Sequence, residues 1–329
     1  MEMEAFWHTL KGLRFNHTTT LPNMTLTQRR PQLRPWMRRA IARRYLLAYA
    51  LVLPVVIWRL ATSIYPFLYT AYLSFFDNSP VRRTFDFVGL DNYANAFRDI
   101  NVPSALNFSL FFTVISVSLQ VVLALGIAEI LNRRFPLRGI TRAINLLPWA
   151  MSGIVIATAA QWIFNENYGL INDILWRING QRPLWLVHPD TARMAVVLTD
   201  VWKNTAFLAV VYLSGLQGIS PELHEAAKID GANGPRAYWY ITLPQLMPLI
   251  ISTAIFGAIY RVLSFELVYA LTSGGPGTST MLLGYLAYLQ AFRVLNFGYA
   301  SALSMILFGL VLIVGLVGFV FLRRAWARL

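Results

Sequence analysis

The chain has 329 residues, of which 57% are hydrophobic and only 13% charged; a soluble domain carries about 25% charged residues, so an ordinary soluble globule is excluded. The net charge of +13, from 28 Lys+Arg against 15 Asp+Glu, would suit a nucleic-acid binder, but the cations stand in short runs beside apolar segments, and no nucleic-acid partner is expected. The absence of cysteine excludes disulfides and thiolate metal sites.

In chain order, residues 1–44 form a polar tail in which Arg29, Arg30, Arg34, Arg38, Arg39, Arg43 and Arg44 crowd the approach to the first apolar run. It has no short apolar core followed by a small-residue cleavage site, so it reads as a retained cytoplasmic tail. The first span is predicted over 45–75. That exceeds the roughly 20 residues a bilayer needs, so it is tilted, kinked near Pro54 or Pro66, or extended beyond the lipid. A polar stretch at 77–103 contains FVGLDNY, where Gly89 and Asp91-Asn92 predict a turn. The second span covers 106–131, and a basic loop with Arg133, Arg134, Arg138 and Arg142 follows. The third covers 143–164. The loop 165–191 sets Glu166, Asp173 and Asp190 against Arg177 and Arg182, and its aromatic, turn-rich composition suits a membrane interface. The fourth span is 192–216.

The next stretch, ELHEAAKIDGANGPRAYWYITLP from Glu222 to Pro244, is a long polar interruption between apolar segments. Ser220 predicts a helix N-cap with Pro221 at the first helical position. Glu222 and Glu225 then lie where negative charge suits the helix dipole. Gly231 supplies the stop. Asn233 or Gly234, followed by Pro235, begins a second short helix expected to break at Leu243-Pro244. Leu223, Ala226, Ala227 and Asp230 share one face of the first helix; either a partner protein or a lipid surface would receive it.

The fifth span is predicted over 245–271, and Ser273-Gly274-Gly275-Pro276-Gly277 makes a sharp loop. Residues 281–292 read as a short amphipathic segment at the far surface, and 299–322 as the sixth span, ending in Arg323, Arg324 and Arg328. The expected fold is an all-α integral membrane protein with six transmembrane helices. It divides into a tail at 1–44, a membrane domain at 45–322 and a second tail at 323–329. Arginine concentrates in the two tails and the loops 132–142 and 217–244, which places these and both termini in the cytoplasm.

No catalytic residue is assigned. A P-loop needs Gly-Lys followed by Ser or Thr, whereas Lys11, Lys203 and Lys228 follow Leu10, Trp202 and Ala227, so this chain is not expected to hydrolyse ATP. His8, His17, His188 and His224 lack ligand spacing, and neither a metal nor a cofactor is expected. Polar residues inside spans are costly and therefore informative. Asp200, Lys203, Asn204 and Phe207 recur on one face of the fourth span; Gly257, Tyr260, Arg261 and Ser264 repeat the spacing in the fifth. Each stripe mixes hydrogen-bonding groups with a ring, as a sugar site requires. The bland alternative pairs Asp200 with Lys203 locally and Arg261 with an acid on a partner.

Glu225-Ala226-Ala227, three residues, Gly231, nine residues and Ile241-Thr242-Leu243-Pro244 resemble the EAA signature of the membrane subunits of bacterial ABC importers. The flanking LHEAAKIDGA and ITLPQLMP are similar to the carbohydrate-uptake branch, the maltose-type and glycerol-phosphate-type permeases. This resemblance implies a permease for a sugar, oligosaccharide or polyol in the cytoplasmic membrane. It makes the loop a coupling helix, with Glu225, Ala226, Ala227, Asp230, Gly231, Leu243 and Pro244 at or near the ATPase groove. It places a substrate pathway on the two polar stripes. It puts Glu266 at an acidic position near the outer end of the fifth span, where it supports the loop or pairs with Arg293. The implied partners are a second permease subunit, two copies of an ATPase subunit that use ATP and Mg²⁺, and an extracytoplasmic solute-binding protein. The alternative is an ion-coupled secondary transporter, which would also carry intramembrane charge, but no internal repeat is visible.

Overall fold

Inside lipid every backbone donor and acceptor must be satisfied within the chain, and the long apolar runs accordingly become helices. The structure, a computed structural model, describes residues 35–326, with side chains at residue 46 and from residue 48 onward. The expected tail lies outside the described residues as far as 34, and its remainder is already helical, because α1 spans Pro35–Arg59. The last residues of the second expected tail, 327–329, also lie outside. The chain divides at Ser63 into two units. The first holds α1, which runs on into a π-helical turn at Leu60–Ile64.

The second unit opens with α2 (Tyr65–Leu73), an antiparallel hairpin of β1 (Phe76–Ser79) and β2 (Thr84–Phe87), and α3 (Asp91–Arg98). Then come α4 (Asn101–Asn132), α5 (Arg138–Ala150), α6 (Gly153–Ile163), α7 (Leu170–Asn179) and α8 (Pro189–Gln217). The interrupting loop forms α9 (Pro221–Ile229) and α10 (Gly234–Ala237), followed by a π-turn at Tyr238–Thr242. The chain closes with α11 (Leu243–Leu263), α12 (Glu266–Leu271), α13 (Leu283–Phe292) and α14 (Phe297–Trp326). Among the described residues, Ala48–Leu73, Asn101–Asn132, Pro189–Gln217, Gly234–Leu263 and Phe297–Trp326 are each long and apolar enough to cross a membrane.

Several expectations need correction. The third span is not straight: α5 and α6 meet at 92°, because Met151 and Ser152 are extended and Pro148 withholds a donor from the last turn of α5. No break occurs at Leu243-Pro244. Each π-turn instead ends two residues before a proline, Pro66 or Pro244. Proline removes the bond to the carbonyl four residues back and crowds that carbonyl; the wider turn holds it in both cases. The fifth span stops at Leu263, and α12 is a separate piece. Asp91-Asn92 start a helix rather than a turn, although Gly89 does adopt φ +58°. The segment at 281–292 is not an amphipathic surface helix: Leu283, Tyr285, Leu286 and Ala287 are buried in the main core.

That core joins Phe108 and Phe112 of α4, Val196 and Val197 of α8, Val262, Leu283 and Leu303. A second cluster gathers Ala124, Ala128, Ala209, Tyr212, Leu213 and Leu246. Alanines on both α4 and α8 let the two backbones approach, as lipid-embedded helix pairs require. At the hairpin, the Asn92 amide donates to the carbonyls of Ser74 (3.0 Å) and Phe76 (2.9 Å), and α14 crosses so closely that a Cβ on Gly298 would overlap the Phe76 carbonyl oxygen. Backbone cannot rotate away as a side chain can. Gly298→Ala is therefore expected to unseat the hairpin and cost about 1–3 kcal/mol. A lowered thermal midpoint, with faster tryptic cleavage at Arg82 or Arg83, would show it.

Candidate functional site

The two polar stripes face one another across a cavity of about 580 Å³. From α8 it takes Lys203, Asn204 and Phe207; from α11, Gly257, Tyr260 and Arg261; from α4, Gln120; and from the end of α5, Trp149. The Trp149 and Phe207 rings stack at 4.7 Å between centroids and 20° between planes. Tyr260 and Phe256 add half-exposed and exposed rings. Ser264 does not join them: it is the C-cap of α11, where helical spacing has ended, and its N–H donates to the Tyr260 carbonyl.

Asp200 lies behind the wall at the centre of a buried network. Its Oδ2 accepts from Arg261 Nε at 2.7 Å and Gln120 Nε2 at 2.8 Å, and its Oδ1 accepts from Asn204 Nδ2 at 2.8 Å. Arg261 also donates through Nη1 to the Gly257 carbonyl at 2.8 Å and through Nη2 to Gln120 Oε1. Asp200 and Arg261 are only 5% and 3% exposed, so the pair is removed from solvent screening.

Both bland alternatives are thereby corrected. Asp200 does not pair with Lys203, because Arg261, Gln120 and Asn204 fill its oxygens, and Arg261 finds its acid in this chain. Lys203 instead donates to the carbonyls of Trp149 (3.1 Å) and Met151 (2.9 Å), where a cation suits the negative end of α5. Glu266 lies against Gly153 at the start of α6, so that a Cβ there would overlap its Oε1; no ion pair with Arg293 forms among the described residues. Gln120 and Trp149 were missed. A lone amide in the apolar run VISVSLQVVLALG was the available sign of the first; nothing in sequence placed α5 beside α8 to reveal the second.

The second candidate surface is α9. Pro221 occupies its first turn and Ser220 its N-cap, without a side-chain capping bond. Gly231 turns the chain at φ +77°, and Asn233 caps α10 by accepting from the Arg236 N–H at 3.0 Å. Leu223, Glu225, Ala226, Asp230 and Gly231 are exposed, whereas Ala227 is buried. The expected small face is therefore divided: Ala227 seats the helix and the others point away. Leu243 and Pro244 lie within the first turn of α11, separate from that exposed set.

Residues 120–327 match the family described as binding-protein-dependent transport system inner membrane component. The chain belongs to this family. The permease is 38% identical to the trehalose/maltose transport system permease protein MalF of Thermococcus litoralis, over 81% of this chain and 90% of that one. It is 34% identical to the sulfoquinovosyl glycerol transport system permease protein SmoG of Agrobacterium fabrum, over 85% and 91%. In fold it matches a crystal structure of a bacterial ABC transporter involved in the import of the acidic polysaccharide alginate, with TM-score 0.76 and 23% identity over 88% of this chain and 99% of that one. It is thus a sugar-type, multi-pass inner-membrane permease subunit of a binding-protein-dependent ABC importer, which sets aside the ion-coupled carrier. The family match spans Gln120, both stripes and α9, so the cavity and the exposed helix lie within one permease unit.

Proposed function

We propose that this permease moves a sugar or polyol through the cavity between α8 and α11, and that α9 carries the motion of a partner ATPase into the spans. The convergence of the two stripes on one cavity supports the first part. Stacked rings beside hydrogen-bonding groups match a sugar's C–H face and hydroxyls. The exposed Glu225, Ala226 and Asp230 on a short helix support the second. The distribution of arginine in the sequence supports a cytoplasmic location for α9 and both termini. The assembly would comprise a second permease subunit, two ATPase subunits that bind ATP and Mg²⁺, and an extracytoplasmic binding protein. Closure of the ATPase pair would push on α9, and the cavity would alternate between the two sides.

The test is uptake of a labelled panel of sugars, polyols and glycerol phosphate by cells with and without this subunit, in the presence of an ATPase inhibitor or a protonophore. Subunit-dependent uptake that stops with the inhibitor supports the reading; no uptake of any panel member overturns it. Tyr260→Ala removes one cavity ring whose contact is worth about 1 kcal/mol, and uptake is expected to fall roughly three- to tenfold, while the amount of subunit co-purifying with the ATPase is unchanged.

A further inference from the structure

Two of the cavity-lining residues carry a charge, Lys203 and Arg261, and at first sight they invite an anion. Their bonding argues otherwise. All three nitrogens of Arg261 already donate, to Asp200, Gly257 and Gln120, and the side chain is 3% exposed. To turn it toward a bound carboxylate or phosphate would strip Asp200 of its cation and leave a buried, unpaired charge. Lys203 faces the cavity but rests on two carbonyls at the end of α5. Besides the second N–H on each of Arg261 Nη1 and Nη2, which belong to the buried side chain, the groups left without a partner among the described residues include the Tyr260 hydroxyl, Asn204 Oδ1 and one N–H of Lys203, beside the Trp149–Phe207 stack. These are donors and acceptors for hydroxyl groups.

We propose that Arg261 is a positioning residue rather than a substrate ligand, neutralised by Asp200 and oriented by Gln120, and that the cavity therefore takes an uncharged carbohydrate. The inference rests on the sugar-permease reading above. What Arg261 does is tie α4, α8 and α11 together at the back wall, so that Asn204 and Tyr260 present their free oxygens to the ligand.

The experiment compares wild type, Arg261→Gln, Asp200→Asn and the double variant Asp200→Asn/Arg261→Gln in the intact transporter. The labelled neutral probes are glucose, maltose, trehalose and glycerol; the anionic ones are glucuronate and glucose 6-phosphate. Wild type is expected to take up a neutral probe in preference to the anionic ones. Each single variant leaves one unpaired buried charge and is expected to lose at least about tenfold in uptake or in membrane abundance. The double variant leaves none and is expected to return to within about threefold of wild type. A double variant no better than Arg261→Gln overturns the proposal: with abundance restored and uptake not, Arg261 acts on the substrate; with neither restored, neutralisation by Asp200 is not what the position requires. Uptake of an anionic probe alone by wild type overturns it too, while leaving the permease reading intact. Uptake of no probe by wild type would instead remove the sugar reading on which the proposal depends.

Discussion

Glu225→Lys is expected to leave the permease in the membrane at wild-type abundance while uptake falls by about a hundredfold. Glu225 is exposed on α9 and makes no side-chain bond within the described chain, so the substitution has little to disturb in the fold. Reversal of a charge that meets a complementary surface costs several kcal/mol, and about 2.7 kcal/mol corresponds to a hundredfold change. The informative measurement is ATP hydrolysis by the purified complex with and without substrate-loaded binding protein. Hydrolysis should lose its stimulation, or the ATPase should no longer co-purify. Wild-type stimulation in Glu225→Lys would remove α9 from the coupling path. Ala227→Leu should act differently, because Ala227 is buried beneath α9: the larger side chain would displace the whole helix rather than alter its outer face.

The second large effect lies in the membrane domain. Arg261→Ala leaves Asp200 buried without its cation, and removal of one partner from a buried ion pair typically costs about 3–5 kcal/mol. The thermal midpoint of the purified subunit should fall sharply. Arg261→Lys should fall between the two, since a single ammonium replaces the charge but cannot serve Asp200, Gly257 and Gln120 together. An unchanged midpoint in Arg261→Ala would mean that Asp200 finds another donor. Loss of uptake in this variant therefore reports stability before it reports substrate contact, which is why the paired substitution is needed to separate the two.

The apolar runs made the spans legible, since a helix is the only local solution for an unbroken stretch in lipid. The α9 helix was equally legible, with Pro221 and Gly231 marking its ends. The stripes were readable because residues three and four apart share a face, and the cavity then depended only on those faces meeting. Other features were hidden for identifiable reasons. The 92° elbow between α5 and α6 turns on the backbone angles of two residues, to which hydrophobic periodicity is blind. The β1–β2 hairpin has four-residue strands, too short for alternation to register. The burial of α13 was missed because its polar neighbours suggested a surface. The choice of Arg261 over Lys203 by Asp200 depends on Gln120, which lies 80 residues earlier in sequence and reaches it only through the packing of α4 on α8.

The π-turn at Tyr238–Thr242 has a rotational consequence. A turn closed by i→i+5 bonds holds one residue more than an α-turn, and one residue in an α-helix corresponds to about 100° of azimuth. The extra residue therefore sets the angular phase between α10 and everything beyond Thr242. Deletion of a single residue there would let the helix run on in regular α geometry and swing Gly257, Tyr260 and Arg261 through roughly a quarter-turn, away from Asp200 and toward lipid or α14. The link between the loop and the cavity is thus a keyed shaft: the angle at which α11 presents Gly257, Tyr260 and Arg261, relative to the loop helices before it, is fixed by one surplus residue.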